Sequence, residues 1–194
     1  MKLVFATNNS NKLFEINEML DGEFEVVGMK ELGYTEDIPE PFETLQENAA
    51  AKVNYIHKKL EVDCFAEDTG LEIEALNGEP GVFSARYAGE DKNAEANMAK
   101  VLKRLKGQEN RKAQFRTVIS LIITGEQFFF EGIVKGTILE TRQGAGGFGY
   151  DPIFQPEEAA CSFAEMKTEE KNKISHRGRA LKKLVRFLKE RGAE

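Results

Sequence analysis

A short apolar run, a polar turn and a helical pattern follow one another at the start of the chain. The apolar run is Leu3-Val4-Phe5-Ala6, and the turn is Thr7-Asn8-Asn9-Ser10-Asn11-Lys12. Apolar side chains then recur at helical spacing, at Leu13, Ile16 and Leu20. The sequence therefore predicts a strand, a turn and a helix, and the apolar face of that helix needs a sheet or another helix to cover it.

The polar turn has the composition of an anion-binding loop. The first N–H groups of a helix lack partners within the helix, and the positive end of the helix dipole lies there. Amides, hydroxyls and a lysine beside such groups suit a phosphate. The alternative is that Asn9 or Ser10 only caps the helix and that Lys12 is solvated. This segment alone leaves both interpretations open.

The remaining periodic segments indicate a mixed-sheet α/β domain. Further strands are predicted at residues 24–29, 64–66, 71–75, 115–124 and 127–137, with the last two forming a hairpin around Gly125-Glu126. Helices are predicted near 98–105, after Ser175, and through Lys59 from the capping box Thr44-Leu45-Gln46-Glu47. No repeat or linker divides the sequence, so residues 1–194 are expected to form a single domain.

Composition excludes several classes of protein. The 194 residues are 41% hydrophobic and 31% charged, which is ordinary for a globular protein, and no apolar run approaches the ~20 residues that cross a bilayer. The sequence opens with a strand-like segment rather than a leader, so we expect a cytoplasmic protein with no membrane partner. A net charge of −6 argues against a general nucleic-acid-binding surface. Cys64 and Cys161 are read as reduced, structural thiols.

Two adjacent carboxylates are candidates for metal binding. The segment Glu67-Asp68-Thr69-Gly70 is predicted to be a loop between two short strands. Carboxylates at a strand end suit Mg²⁺, which takes one or two of them together with phosphate oxygens and water. An isolated acidic pair in a loop is more often simply solvated.

The segment Gly144-Ala145-Gly146-Gly147-Phe148-Gly149 satisfies G-x-G-x-x-G in letters only. Asp151-Pro152 follows at once and prevents the helix that a dinucleotide fingerprint requires. No P-loop motif occurs. The segment 147–152 instead predicts a tight loop that presents two rings and a carboxylate, which suits a purine base, although a turn with two core rings is the alternative.

A basic cluster precedes the final helix. The segment Lys171-Asn172-Lys173-Ile174-Ser175-His176-Arg177-Gly178 contains three cations and a histidine. Positive charge at a helix N-terminus opposes the helix dipole. Such a local cost without a structural gain favours a functional role, such as holding a phosphate or the edge of a base.

Together these segments resemble the inosine triphosphate pyrophosphatase family, the house-cleaning dITP/XTP pyrophosphatases. The similarity runs from Lys2 to about Leu188 and includes two further motifs, Glu47-Asn48-Ala49 with Lys52 and the segment from Pro80 to Tyr87. The resemblance implies an elongated two-lobed α/β fold with a mixed sheet and a cleft between the lobes. It also implies Mg²⁺ dependence and a homodimer.

The resemblance assigns roles to individual residues. The triphosphate is expected to contact Thr7, Asn8, Asn9, Ser10, Asn11, Lys12 and Lys52. The base and its edges are expected to contact Phe148, Gly149, Tyr150, Asp151, Lys171, His176 and Arg177. Asp68 matches the catalytic, metal-holding carboxylate, and Thr69 follows it as a nucleotide contact. Ser84 and Arg86 are expected to shape the cleft floor.

The second metal-side acid is less well defined by the sequence. The segment from Glu36 to Glu47 is rich in carboxylates. Glu40, twelve positions before Lys52, is the preferred ligand, and Glu47, which also has a helix-capping role, is the alternative.

The implied reaction is attack of water on the α-phosphorus of ITP, dITP or XTP, releasing diphosphate and a nucleoside monophosphate. Donors such as His176 or Arg177 are expected to satisfy the six-keto oxygen and to reject adenine. Two alternatives remain at this point. One is a related diphosphatase that prefers pyrimidine or modified nucleotides, and the other is a nucleotide- or RNA-binding module without chemistry.

Overall fold

A computed structural model describes residues 2–20, 24–36 and 38–192 of the chain. The described residues form five α-helices and seven β-strands, joined by short 3-10 turns. In chain order these elements are β1 (Lys2–Phe5), α1 (Ser10–Leu20), β2 (Glu25–Gly28), α2 (Leu45–Leu60), β3 (Cys64–Ile73), β4 (Pro80–Gly81), α3 (Ala94–Arg104), β5 (Lys112–Ile123), β6 (Glu126–Ile138), β7 (Phe154–Pro156), α4 (Thr168–Ile174) and α5 (His176–Arg191).

The strands are hydrogen-bonded in the order β2–β1–β3–β5–β6–β7, with β4 beside β3. β1 pairs in parallel with β2, Leu3 lying opposite Val26, and in parallel with β3, Phe5 lying opposite Phe65. The β3–β4 and β6–β7 pairs are antiparallel. The predicted mixed-sheet α/β class is therefore confirmed.

The chain divides into two compact units, and the boundaries fall within β3, β5 and β6. The first unit contains Met1–Asp68, Thr117–Gly132 and Arg177–Glu194. The second contains Thr69–Arg116 and Ile133–His176.

The first unit has a separate apolar core on each face of its strands. Alternate residues of β1 point to opposite faces, so Phe5 joins one core and Val4 the other. The Phe5 core is covered by α1 and α5, whose buried residues include Ile16 and Leu184. The Val4 core is covered by α2 through Val53 and Ile56. Helices therefore cover both faces, which explains why β1 reads as a continuous apolar run.

The second unit has one core around α3 and the aromatic rings of β5 and β7. Met98 and Val101 of α3 pack with Leu71 of β3. Phe115 and Phe154 belong to the same core, with ring centroids 4.7 Å apart at an interplanar angle of 63°. This edge-to-face arrangement is a favourable geometry for two rings.

Most of the predicted elements are confirmed. Thr44 is the N-cap of α2, since Glu47 N donates to Thr44 Oγ1 at 3.2 Å, and the last helix begins directly after Ser175. Thr124 and Gly125 join β5 to β6 with φ angles of 50° and 80°. Positive φ at both positions is the hallmark of a type I′ hairpin turn.

The loop predicted at residues 67–70 is wrong, because β3 is one continuous strand from Cys64 to Ile73. Glu67 and Asp68 lie within this strand and are buried. Carboxylates in a buried strand are tolerated where cations compensate them, and local sequence does not show such partners. The helix α4 was also missed, since Lys171 was placed in a segment that only precedes the final helix.

No helix within the described ranges is both long enough and apolar enough to cross a membrane.

We expect Gly136→Ala to lower the free energy of unfolding by ~2 kcal/mol, because β6 and β7 leave no room for a side chain there. A Cβ at residue 136 would overlap the carbonyl oxygen of Gln155 and lie 2.6 Å from Cζ of Phe154. Urea unfolding measures this change. Thr137→Ala, at the next and exposed position, is the control and should change the free energy by less than ~1 kcal/mol. Equal midpoints for Gly136→Ala and the unchanged chain would contradict the close approach.

Candidate functional site

The polar turn at residues 7–12 is organised by its own side chains. Asn9 Oδ1 accepts hydrogen bonds from the backbone N–H groups of Asn11 and Lys12, at 3.0 and 3.2 Å. Asn9 N in turn donates to Thr7 Oγ1 at 3.1 Å. Asn9 thus caps α1, which begins at Ser10. The exposed side chains of residues 9–11 leave the helix N-terminus open to solvent.

Asn8 connects this turn to the acidic segment that follows β2. Its Nδ2 donates to the carbonyl oxygen of Glu36 at 2.8 Å. Within the described part of the chain, its Oδ1 is buried and has no hydrogen-bond partner. A buried acceptor without a partner is costly, so this atom is a natural place for a ligand or a water molecule to donate.

Lys52 lies between two carboxylates. Its Nζ is 2.6 Å from Glu40 Oε1 and 3.1 Å from Asp68 Oδ1. Burial lowers the pKa of Lys52, but the charges of Asp68 and Glu40 outweigh this effect and raise the pKa above its ordinary value. Lys52 on α2 therefore remains charged and holds the two acids on either side of it.

Asp68 has one engaged and one unengaged oxygen. Its Oδ1 accepts from Lys52, whereas Oδ2 is buried without a hydrogen-bond partner in the described ranges. Burial raises the pKa of Asp68, Lys52 opposes this, Glu40 adds to it, and the net pKa lies above its ordinary value. The carboxylate thus lacks full charge compensation, which is the condition under which a cation binds favourably.

A second ion-pair network lies in the same unit and involves the other carboxylate of β3. Arg177 forms a bidentate pair with Glu67, through Nε to Oε2 at 2.9 Å and Nη2 to Oε1 at 2.7 Å. Its Nη1 donates to Glu15 of α1. Lys12 Nζ also lies 3.1 Å from Glu67 Oε1. Burial alone would raise the pKa of Glu67, but Arg177 and Lys12 lower it far below its ordinary value.

These two networks together form the charged cluster of the first unit. When all groups are ionised, four carboxylates face three cations, which leaves one negative charge in excess. The members of the charged cluster are Lys12, Glu15, Glu40, Lys52, Glu67, Asp68 and Arg177.

The charged cluster fits a magnesium ion. Glu40 and Asp68 supply two carboxylates near one another, Asp68 Oδ2 has no partner in the described ranges, and the cluster carries excess negative charge. No group of three or more histidine, cysteine or acidic side chains positioned to hold a metal occurs among residues 2–20, 24–36 and 38–192. Two carboxylates completed by phosphate oxygens and water are the usual donor set for Mg²⁺. Glu47 instead accepts a hydrogen bond from Thr44 at 2.7 Å, as a capping residue does.

The aromatic and basic residues predicted to bind a base lie in the second unit. His176 is 3% exposed, and its ring stacks on Phe115 at a centroid distance of 4.6 Å and an angle of 17°. Lys171 Nζ lies 5.0 Å from the ring centroid of Phe148 and 2.7 Å from Asp151 Oδ2. Phe148 N also donates to Asp151 Oδ2 at 2.8 Å. Asp151 therefore fixes both the loop and the lysine beside the half-buried Phe148 ring.

Several predicted site residues of the second unit have packing partners. Tyr150 is buried and its hydroxyl donates to the carbonyl oxygen of Ser84 at 2.7 Å, while burial raises its pKa. Ser84 Oγ accepts from Leu71 N at 2.9 Å. Gly149 has a φ of 62°, and Thr69 is half-buried in β3. The Arg86 guanidinium lies 5.6 Å from the ring centroid of Phe83.

The structure brings Lys12, Lys52 and Asp68 into one unit, and Phe148, Asp151 and Lys171 into the other. Sequence reasoning gave no role to Glu15 and treated Glu67 only as a neighbour of Asp68. The available signal was spacing, because Glu15 lies three residues after Lys12 and so on the same face of a helix.

We expect the adjacent carboxylates of β3 to respond oppositely to amide substitution. The lowered pKa of Glu67 means that its charge contributes stability at pH values above its ordinary pKa, and this stability is lost as the pH falls through the folded-state pKa. The raised pKa of Asp68 means that ionisation opposes folding above its folded-state pKa. At pH 7, Glu67→Gln should therefore cost ~3 kcal/mol, whereas Asp68→Asn should not destabilise the chain.

Urea unfolding of both variants at pH 7 measures this difference, and the two substitutions are matched in chemistry and position. A loss of stability in Asp68→Asn as large as that in Glu67→Gln would contradict the assignment of uncompensated charge to Asp68.

Residues 3–187 match the model of the Ham1 family. A protein from Flavobacterium johnsoniae named dITP/XTP pyrophosphatase is 53% identical over 188 residues, which cover 97% of this chain and 98% of that protein. A protein of the same name from Porphyromonas gingivalis is 55% identical over 188 residues, with 96% and 97% covered.

Solved structures show the same fold. The Ham1 protein of Staphylococcus aureus has a TM-score of 0.88 and 40% identity, covering 98% of this chain and 100% of that one. A HAM1 protein from Coxiella burnetii has a TM-score of 0.89 and 38% identity, covering 98% and 99%. The resemblance drawn from the sequence motifs is thereby confirmed, and the chain belongs to the Ham1 family.

Proposed function

We propose that this chain hydrolyses noncanonical purine nucleoside triphosphates, namely ITP, dITP and XTP, to the nucleoside monophosphate and diphosphate. The names of relatives that are more than 50% identical over nearly the whole chain support this substrate class. The observation that carries the chemistry is the pairing of Lys52 with Glu40 and Asp68, which places a cation and two carboxylates together.

The triphosphate is proposed to bind to the first unit. Lys12 and Lys52 supply positive charge, and the open N-terminus of α1 supplies backbone N–H groups. Thr7, Asn8, Asn9, Ser10 and Asn11 surround that N-terminus, and Asn8 Oδ1 remains without a partner in the described ranges. Charge on the phosphates is thus offset by lysines whose own carboxylate partners hold them in place.

Asp68 is proposed to orient or deprotonate the attacking water. Lys52 fixes Asp68 Oδ1, and Oδ2 is free of protein hydrogen bonds within the described ranges, so it can accept one from water. Mg²⁺ held by Glu40 and Asp68 would neutralise charge on the phosphate oxygens and on the departing diphosphate. Water attacks the α-phosphorus directly, and no covalent intermediate is required.

The base is proposed to bind to residues of the second unit. Phe148 offers a half-buried ring for stacking, and Lys171 beside it is a hydrogen-bond donor. His176 is the other candidate donor to the six-keto oxygen. A donor at this position is satisfied by hypoxanthine or xanthine but faces the amino group of adenine, and a buried mismatch of this kind rejects an analogue by ~10⁴-fold.

Roles for the other residues follow from the family resemblance. Thr69, Gly149, Tyr150, Asp151 and Arg177 are proposed to contribute to nucleotide binding. We also propose that residues 1–194 act as one domain, that the chain forms a homodimer and that it works in the cytoplasm.

A substrate panel tests the proposed function. Diphosphate and orthophosphate release would be measured from ITP, dITP, XTP, GTP, ATP and dTTP, with Mg²⁺ and with a chelator. We expect metal-dependent diphosphate release mainly from the inosine and xanthine nucleotides, and Asp68→Asn should lower kcat by ~10³-fold while binding persists. Orthophosphate release would move the attack to the γ-phosphorus. Binding without turnover of any nucleotide would favour a binding module.

The choice between Glu40 and Glu47 has its own test. Glu40→Gln should raise the Mg²⁺ concentration for half-maximal activity by ~10-fold, because it removes one of two carboxylates beside Lys52. Glu47→Gln is the matched control, since Glu47 contacts Thr44, and it should change this concentration less than ~2-fold. The reverse order of effects would assign the metal to Glu47.

A further inference from the structure

The contacts of Arg177 point away from the base and toward the triphosphate. We infer that Arg177 is a positioning residue that acts through Glu67 on Lys12 and so sets the affinity for the phosphate chain. This inference rests on the proposed nucleotide substrate and deepens it, because it assigns the residue to a different part of the substrate than the family resemblance does.

Arg177 is held on both sides by carboxylates. It is 1% exposed, and its Nε and Nη2 form a fork on Glu67 while Nη1 donates to Glu15. A bidentate guanidinium–carboxylate pair fixes both groups in one plane and one orientation. Breaking it would leave two buried carboxylates without their shared cation, which is strongly unfavourable. The geometry therefore keeps Arg177 in place rather than leaving it available to a ligand.

Glu67 carries this constraint to Lys12. Glu67 Oε1 accepts from Arg177 Nη2 at 2.7 Å and lies 3.1 Å from Lys12 Nζ. The side chain of Glu67 is fully buried, whereas that of Lys12 is 18% exposed. Lys12 is thus the member of this network that reaches solvent, at the N-terminus of α1 where the triphosphate is proposed to bind.

The charge balance of the network determines how strongly Lys12 attracts a phosphate. Lys12 and Arg177 offset Glu15 and Glu67, so the network is neutral when all four groups are ionised. Removing the charge of Glu15 makes the network positive and should favour an anion. Removing the charge of Arg177 makes it negative, so Lys12 is drawn to Glu67 and the anion is disfavoured.

The experiment measures the affinity of the full chain for inorganic tripolyphosphate by calorimetry in the presence of chelator. Glu15→Gln should lower the Kd by ~3-fold, and Arg177→Met should raise it by ~10-fold. Arg177→Lys restores the charge without the fork and should remain within ~3-fold of the unchanged chain. Glu18→Gln removes a charge from an exposed position of the same helix and serves as the matched control.

The ratio of kcat/KM for ITP to that for ATP separates this role from base recognition. It should change by less than ~3-fold in Glu15→Gln and Arg177→Lys, because neither substitution alters the donors proposed for the base. A large fall of the ratio in Arg177→Lys with an unchanged Kd for tripolyphosphate would return Arg177 to the base.

Shifts of the same sign in Glu15→Gln and Arg177→Met would indicate general destabilisation and overturn the inference. If Arg177→Met does not fold, Glu15→Gln and Arg177→Lys still decide it. Absence of nucleotide turnover in the unchanged chain would remove the proposed function alone, because the Kd for tripolyphosphate does not depend on turnover. Absence of tripolyphosphate binding in the unchanged chain would overturn the inference itself.

Discussion

The alternation of side chains along β3 organises the first unit, because it sends two adjacent carboxylates to opposite faces of the strand. Phe65 and Glu67 share one parity, and the core around Phe65 is covered by α1 and α5. Ala66 and Asp68 share the other, and the core around Ala66 is covered by α2. Each acid therefore meets cations from a different set of helices.

Burying so many charges is costly unless each has a partner, and this makes the two faces behave differently. On the Glu67 face, Arg177 and Lys12 compensate the carboxylates completely, so that side of the strand is a fixed support. On the Asp68 face, one lysine serves two carboxylates and one Asp68 oxygen lacks a partner within the described ranges. Incomplete compensation at Asp68 is what suits this face to a cation and a polyanionic substrate.

Much of this arrangement could be predicted from local sequence, and the failures have a common cause. Periodic apolar residues correctly indicated α1, the Thr44 cap of α2 and the hairpin at Gly125. Residues 67–70 were taken for a loop because adjacent acids are rare in a buried strand, and the partners that stabilise them lie far away in the chain. Lys52 is 16 residues from Asp68, and Arg177 is 110 residues from Glu67. Pattern reasoning reads neighbours, whereas charge compensation is a property of the fold.

The two units differ in the kind of chemistry that their sites employ. The first unit relies on buried ion pairs, whose strength depends on the net charge of the whole cluster and therefore suits a phosphate chain. The second relies on stacked rings and a short loop that Asp151 ties to Lys171, a rigid surface suited to a planar base. Because the boundary between the units falls between His176 and Arg177, two consecutive residues of one motif enter different environments. Neighbours in a sequence motif can therefore serve opposite ends of one substrate, and only their contacts assign them.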